Sequence, residues 1–392
     1  MSTEKITSRE FNAMLFLLGA GGFEVFLPRY VAAAAGGEAL ASLALACVAG
    51  FLIATALLKL VRRLGADGLV GYSAAVIGSP MAAAAGAWWA LVLVMAAARP
   101  LAAVGLVGDV VLGWSALITP PLLFLLTVGC GLAVKLPGVR LARLAEYAAA
   151  ALLLLDVVVG VTVLDRVDWR NYLSGWDPAA VMRGALFLLG RFCPAYLLLL
   201  LMPAAGVAGR RAGVMPGILA TAGVAALDVL PAGLYSPGAA AVAFMPSLSL
   251  LADSAPGSVP GLFFPAVVLL LLGSLLQTAL SLLLAVIVLR GAPGDRGSGL
   301  LLAAGAAVAW TGLLFWSNYG GSYDFGATYF PYLILPAALG WPLLLLAASA
   351  WARPGEGARA PARVPVSLAA AGAWARRRME TWRMTMKKRG VR

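Results

Sequence analysis

Two ionisable residues stand inside long apolar runs, each beside a stretch that a helix tolerates poorly. Glu24 follows Gly19-Ala20-Gly21-Gly22 and precedes Pro28, and Arg191 lies within Gly190-Arg191-Phe192-Cys193-Pro194. At the centre of a bilayer a charged side chain costs at least about 2.5–3.5 kcal/mol, so each calls for a partner or a wet cavity. Pro194 removes one backbone donor and frees a carbonyl one turn earlier. Half-helix N-termini offer N–H groups to anions, and unwound carbonyls offer oxygens to cations or ammonium groups. A zwitterionic amino acid satisfies both. Glu24 and Arg191 are therefore expected to face one cavity, paired with each other or with a ligand's ammonium and carboxylate. The plainer alternatives are close packing of helices through small residues and a structural ion pair.

Other polar groups are sparser in meaning. Ser274, Gln277, Thr278 and Ser281 recur at i, i+3, i+4 and i+7 in an apolar run, so they share one helix face. Such a stripe either bonds neighbouring helices or lines an aqueous pocket. Arg99, Asp156 and Asp228 also fall within apolar runs and are expected to pair among themselves, as structural or gating groups. Arg143 and Glu146, one turn apart, are placed for a local salt bridge. The chain has no histidine, which removes Ser-His-Asp triads, Cys-His pairs, haem-His ligation and His-based zinc sites. Cys47, Cys130 and Cys193 are isolated in apolar runs and read as small buried hydrophobes. Without a short-spaced Asp pair or a Ser/Lys dyad motif, the sequence points away from an intramembrane enzyme, and it calls for no cofactor.

The elements that must hold these groups follow from composition. Of 392 residues 62 % are apolar and 12 % charged, about half the charge of an ordinary soluble domain. Runs of roughly 20 apolar residues are the length of a membrane-spanning helix. Ten are expected, near 11–33, 38–60, 82–107, 110–134, 141–164, 179–207, 212–234, 261–289, 300–317 and 326–351. Their loops alternate in charge. Those after even-numbered spans carry Lys59, Arg62 and Arg63, then Lys135, Arg140 and Arg143, then Arg210 and Arg211, then Arg290 and Arg296. The opposite loops hold Arg166 and Arg170 among Asp165, Asp168, Asp177, Asp253 and Asp324. By the positive-inside rule both termini are cytoplasmic. The fold class expected is an all-α polytopic membrane domain over 1–351, broken in helices 1 and 6. One break then opens each half of the chain, which is the pattern that points to a midplane binding site.

The formal net charge of +12 is concentrated in residues 352–392, which hold eleven Lys and Arg against two Glu. This tail does not have the aromatic-basic surface of a nucleic-acid binder. Ala375, Met379, Trp382 and Met386 recur at helical spacing among arginines and lysines. That pattern fits an amphipathic helix on anionic lipid of the inner leaflet, or a solvated tail that sets topology.

Taken in order, several stretches resemble the permease-like B-subunit family of bacterial spore germinant receptors, within the amino acid–polyamine–organocation superfamily. They are Lys5-Ile6-Thr7-Ser8-Arg9-Glu10-Phe11, Gly19 through Leu27-Pro28, Val139-Arg140-Leu141-Ala142-Arg143-Leu144-Ala145-Glu146, and Asp168-Trp169-Arg170-Asn171-Tyr172-Leu173. Phe315 to Tyr319, Tyr332 to Pro336 and Leu339 to Leu346 complete the set. The resemblance implies a five-plus-five inverted repeat of the leucine-transporter type, with repeats at about 11–164 and 179–351. It implies recognition of a small nutrient germinant, often an amino acid, in the inner membrane of a dormant endospore. The implied partners are an A-type membrane subunit and a C-type lipoprotein. Ligand contacts are implied on helices one, three, six and eight: Gly19, Ala20, Gly21 and Gly22; the Trp88–Trp89 region; Gly190, Arg191, Phe192 and Cys193; and Gln277 and Ser281. Glu24, which departs from the apolar residues of the family, and Thr278 join these candidates on their own chemistry and position. A self-sufficient amino-acid transporter coupled to H⁺ or Na⁺ is the alternative that the same residues allow.

Overall fold

The computed structural model describes residues 6–20, 26–61, 64, 68–115, 117–135, 138–172, 175–201, 214–243, 245–254, 263–290, 298–317 and 330–351. Among these residues the backbone is helical with short turns and contains no strand. A lipid-facing backbone must satisfy its own N–H and C=O groups, and a helix does so within one segment. The helices are α1 (Ser8–Ala20), α2 (Leu27–Ala35), α3 (Ala39–Val61), α4 (Gly68–Ile77), α5 (Ser79–Val111), α6 (Thr119–Lys135), α7 (Gly138–Val163) and α8 (Pro178–Leu201). The second half adds α9 (Met215–Ala225), α10 (Leu230–Tyr235), α11 (Pro237–Val242), α12 (Pro246–Ser254), α13 (Phe263–Arg290), α14 (Ser298–Ser317), α15 (Phe330–Leu335) and α16 (Trp341–Trp351).

Helix thus occupies each of the ten stretches expected from the apolar runs. Six segments among the described residues are by themselves long and apolar enough to cross a membrane: Leu27–Val61, Ser79–Val111, Val139–Arg166, Pro178–Leu200, Met215–Tyr235 and Phe263–Val288. The protein is a membrane-embedded helical bundle. Its outward faces agree with that solvent: Leu52, Leu125, Leu154, Val161 and Trp310 are all more than half exposed.

Three departures from the expected helices have local causes, and they lie beyond the first stretch, where a break is expected. The first stretch is interrupted, α1 ending at Ala20 and α2 beginning at Leu27 with Pro28 in its first turn, where a missing donor is harmless. The sixth is not. The expected break at Gly190–Pro194 is absent, and α8 runs continuously through both residues. Proline deletes a single N–H, and the donors on either side of it keep the ladder, so a buried helix tolerates the loss. A break falls in the seventh stretch instead. There α9 stops at Ala225, and the turn Ala226–Val229 is closed by i→i+3 bonds such as Leu227 N to Val224 O at 2.9 Å. Pro231 then opens α10 because it cannot donate back to Leu227. The last stretch carries a π-helical segment, Pro336–Gly340, between α15 and α16.

The core sits where α5 packs along α13 and α14, α3 along α8, and α1 against α7, α8 and α9. The N-terminus of α1 is fixed by chemistry that the apolar pattern does not reveal. Thr7 and Glu10 form a reciprocal capping box. The Thr7 N–H and hydroxyl donate to Glu10 Oε2 at 2.7 and 3.0 Å, and the Glu10 N–H donates to Thr7 Oγ1 at 3.3 Å. Buried Glu10 also accepts Arg143 at 3.4 Å, and Arg9 pairs with Glu146 at 2.5 Å. Arg143 and Glu146 therefore each reach across to α1, where a pair within α7 is the expectation. Thr7→Ala is expected to lower unfolding stability by about 1 kcal/mol, the usual worth of a cap, and Thr7→Ser to leave it nearly unchanged.

Candidate functional site

The carbonyls of Leu18 and Gly19, near the last described residue of α1, lie in a fully buried stretch of the bundle. Two side chains from different helices meet them. Arg191 of α8 donates through Nε to the Gly19 carbonyl at 2.8 Å, and Gln277 of α13 donates through Nε2 to the Leu18 carbonyl at 3.0 Å. Three stretches far apart in sequence are thereby joined at one point: Gly19–Ala20, Arg191 and Gln277. Gly21, Gly22 and Glu24 lie outside the described residues.

Arg191 is committed further. Its Nη1 pairs with Asp228 Oδ2 in the α9–α10 turn, both side chains being deeply buried. Asp228 is thus the described carboxylate partner of Arg191, in the place where Glu24 is expected. Asp156 of α7 is the third charge at this point. A cavity of about 80 Å³ is lined by Asp156, Arg191, Asp228, Ala20 and Ser247 together with leucines and valines. The expected grouping of Arg99, Asp156 and Asp228 gives way to one in which two aspartates flank Arg191. The signal for both aspartates was present in the sequence as single acids within apolar runs. That both face Arg191 was not.

The turn that carries Asp228 is held from outside by the loop 168–172. Tyr172 donates its hydroxyl to the Val229 carbonyl at 2.8 Å, and Asn171 Nδ2 and Asp168 N donate to the Gly233 carbonyl at 2.9 and 3.2 Å. Burial pushes the Tyr172 phenol up to about 12, so it remains a donor at any ordinary pH. The motif Asp168-Trp169-Arg170-Asn171-Tyr172 is thus a clamp on α10.

The remaining candidates divide by face. On α13, Thr278 donates to the Ala97 carbonyl of α5 at 3.1 Å and to Ser274 O of its own helix at 2.9 Å, and so joins two helices. Gln277 Oε1 and Ser281 Oγ are buried without a hydrogen-bond partner among the described residues. On α8, Phe192 turns away from Arg191. It packs on Tyr196 with ring centroids 6.4 Å apart and lines a separate small void with Cys47 and Gly50 of α3. Cys193 is fully buried and donates its thiol to Leu189 O at 3.4 Å, and Gly190 is buried in the same helix. Trp89 of α5 is also spoken for. Its indole N–H donates at 2.7 Å to the Ala337 carbonyl in the π-helical segment, and its ring meets Trp341 edge-on at 6.4 Å.

No protein-family model matches the chain, and no curated protein matches it.

Proposed function

We propose that the chain is a small-molecule recognition subunit of the ten-helix permease type. In this reading it is the nutrient-binding subunit of a spore germinant receptor, working with an A-type membrane subunit and a C-type lipoprotein. The carrying observation is the Leu18–Gly19 backbone of α1 inside an apolar bundle, gripped from α8 by Arg191 and from α13 by Gln277. Helix breaks inside a membrane are used where they line a cavity, and unwound backbone is the usual ligand for a polar solute there. Two uncommitted buried acceptors, Gln277 Oε1 and Ser281 Oγ, stand one turn apart beside this point. Each costs about 1–3 kcal/mol while unpaired, a penalty that a ligand's ammonium or hydroxyl donor removes.

The inverted repeat belongs to the same reading. Contacts between α1 and α8 link the first stretch with the sixth, and those between α5 and α13 link the third with the eighth. These are pairs five helices apart, as two five-helix halves require. Binding that shifts the bundle between two arrangements is then read by the partners, provided the ligand favours one of them. Coupled transport is the second reading, favoured by the carboxylate of Asp156 at the cavity, a group suited to exchange a cation in each cycle.

The test is a thermal-shift screen of the twenty amino acids, sugars and nucleosides on the purified protein. At least one should raise Tm by several degrees, since a state-selective binder stabilises in proportion to its saturation. Ser281→Ala should leave the unliganded protein as stable or more stable, because it deletes an unpaired buried hydroxyl. The same substitution should weaken the ligand's effect about tenfold, the worth of one lost hydrogen bond. A screen without a stabilising compound, or a response untouched by Ser281→Ala and Gln277→Ala alike, would count against the site.

A further inference from the structure

The small void beside Phe192 lies between α3, α8 and α9, at the flank of the bundle. It holds about 20 Å³, and no charged residue lines it. That volume admits one group of about the size of a water molecule. Cys47, Gly50 and Phe51 of α3 form one wall, Phe192 and Tyr196 of α8 the floor, and Ala222 of α9 the opposite side. Phe51 is 45 % exposed at the rim, and Gly50 stands at the midpoint of the 23-residue α3. The entrance therefore opens to lipid near the centre of the bilayer.

One polar atom in this void is unspent. Tyr196 is 2 % exposed, yet its hydroxyl makes no hydrogen bond among the described residues. It lies against Gly50, where a Cβ would come within 2.6 Å of the oxygen, so the glycine leaves the hydroxyl its room. The other polar groups in the lining do not serve it. Thr221 donates to the Gly217 carbonyl at 2.8 Å, and Cys47 offers a thiol, weak both as donor and as acceptor. An unpaired buried hydroxyl is a standing penalty, and phenylalanine would fill the same place without it.

We propose that this void binds the oxygen end of an uncharged, lipid-dissolved chain molecule, a hydroxyl or a carbonyl that pairs with Tyr196. A charged head is excluded because nothing in the lining would pair it, and a bulky head is excluded by the volume. Water is a poor occupant. It needs two to four polar partners, and the Tyr196 hydroxyl is the uncommitted one that the void offers. The apolar chain stays outside, along Phe51 and Ile218, where the bundle meets lipid. The site does not depend on the recognition reading. Phe192 follows Arg191 in α8 and Thr221 packs on Gly19, so the void backs onto that junction without sharing its donors.

The test uses the full chain in lipid nanodiscs and a decanol that carries a photoreactive diazirine in its chain, with labelled positions mapped by peptide mass spectrometry. The wild type should be labelled on α3 and α9 around Phe51 and Ile218. Unlabelled decanol or decanone should reduce that labelling at a membrane fraction where decane leaves it unchanged, and the stronger competitor tells hydroxyl from carbonyl. Tyr196→Phe should lower the labelling about tenfold, the worth of one hydrogen bond, while its Tm without additive equals or exceeds that of the wild type. Ala222→Leu, which fills the void from the partly exposed side of α9, should lose the labelling too. The proposal is overturned if decane competes as well as the two oxygen compounds, since labelling then reports partition into lipid alone. It is equally overturned if Tyr196→Phe keeps the labelling, or if it lowers Tm, which would mean that the hydroxyl already has a partner such as a resident water. Should both variants fail to fold, the wild-type competition decides by itself.

Discussion

Arg191→Ala is expected to destabilise the protein by about 3–5 kcal/mol, the cost of breaking a buried ion pair by removing one partner. Both side chains of the Arg191–Asp228 pair are under a tenth exposed, so water cannot replace the lost guanidinium. The Gly19 carbonyl loses its donor in the same step. Asp156 makes the damage worse, because a cavity that held two carboxylates and one cation would then hold two carboxylates alone. The opposite substitution should be milder. In Asp228→Asn the guanidinium keeps its bond to Gly19 and has a second carboxylate, Asp156, across the same cavity. An asymmetry therefore results: Arg191→Ala should cost well over twice what Asp228→Asn costs. Equilibrium unfolding in mixed micelles reads both. The double variant Arg191→Met/Asp228→Asn should recover a large part of the single Arg191 loss, since no stranded charge is left from the pair. Equal losses from the two single variants would mean that Asp156 does not share the cavity electrostatically.

The asymmetry also shows where sequence reasoning reaches and where it stops. Apolar runs locate helices because a span needs about 20 such residues whatever it packs against. That is why helix lies in each expected stretch. A charge within such a run announces that a partner exists, and Arg191, Asp156 and Asp228 were all visible in that sense. Partner choice is different, because it depends on which helices touch. Arg143 and Glu146 look like a pair within one turn, yet each reaches Arg9 or Glu10 once α1 lies along α7. Breaks are similar. Gly190 and Pro194 look as disruptive as Gly19–Gly22, but a single missing donor leaves α8 continuous. Pro231, after a run ending in Asp228-Val229-Leu230, is the quieter signal, and it marks the turn that aims Asp228 at Arg191. The indole donors of Trp88 and Trp89 gave no hint of their acceptors, since backbone carbonyls at Leu333 and Ala337 have no sequence signature.

Gly19→Ala is expected to destabilise by about 1–3 kcal/mol, the range for forcing an extra methyl into a packed contact. A Cβ at this position would lie 2.4 Å from Thr221 Cγ2 on α9. Threonine is stiff at χ1, and its hydroxyl is tied to the Gly217 carbonyl at 2.8 Å, so the methyl cannot swing aside without breaking that bond. The relief left to α1 is to back away from α9, which draws the Gly19 carbonyl from Arg191 and the Leu18 carbonyl from Gln277. The sign is diagnostic. In a helix free of such contact, Gly→Ala would stabilise by roughly 0.5–1 kcal/mol. Thr221→Ser removes the offending methyl and keeps the hydroxyl, which sits 3.3 Å from the same Cβ position. The pair Gly19→Ala/Thr221→Ser should therefore recover most of the loss, with a coupling of at least about 1 kcal/mol in a double-mutant cycle. Unfolding midpoints of the four proteins measure it directly. Additive effects, or a stabilised Gly19→Ala, would mean that α1 and α9 stand further apart. The end of α1 would then no longer be held where Arg191 and Gln277 can both reach it.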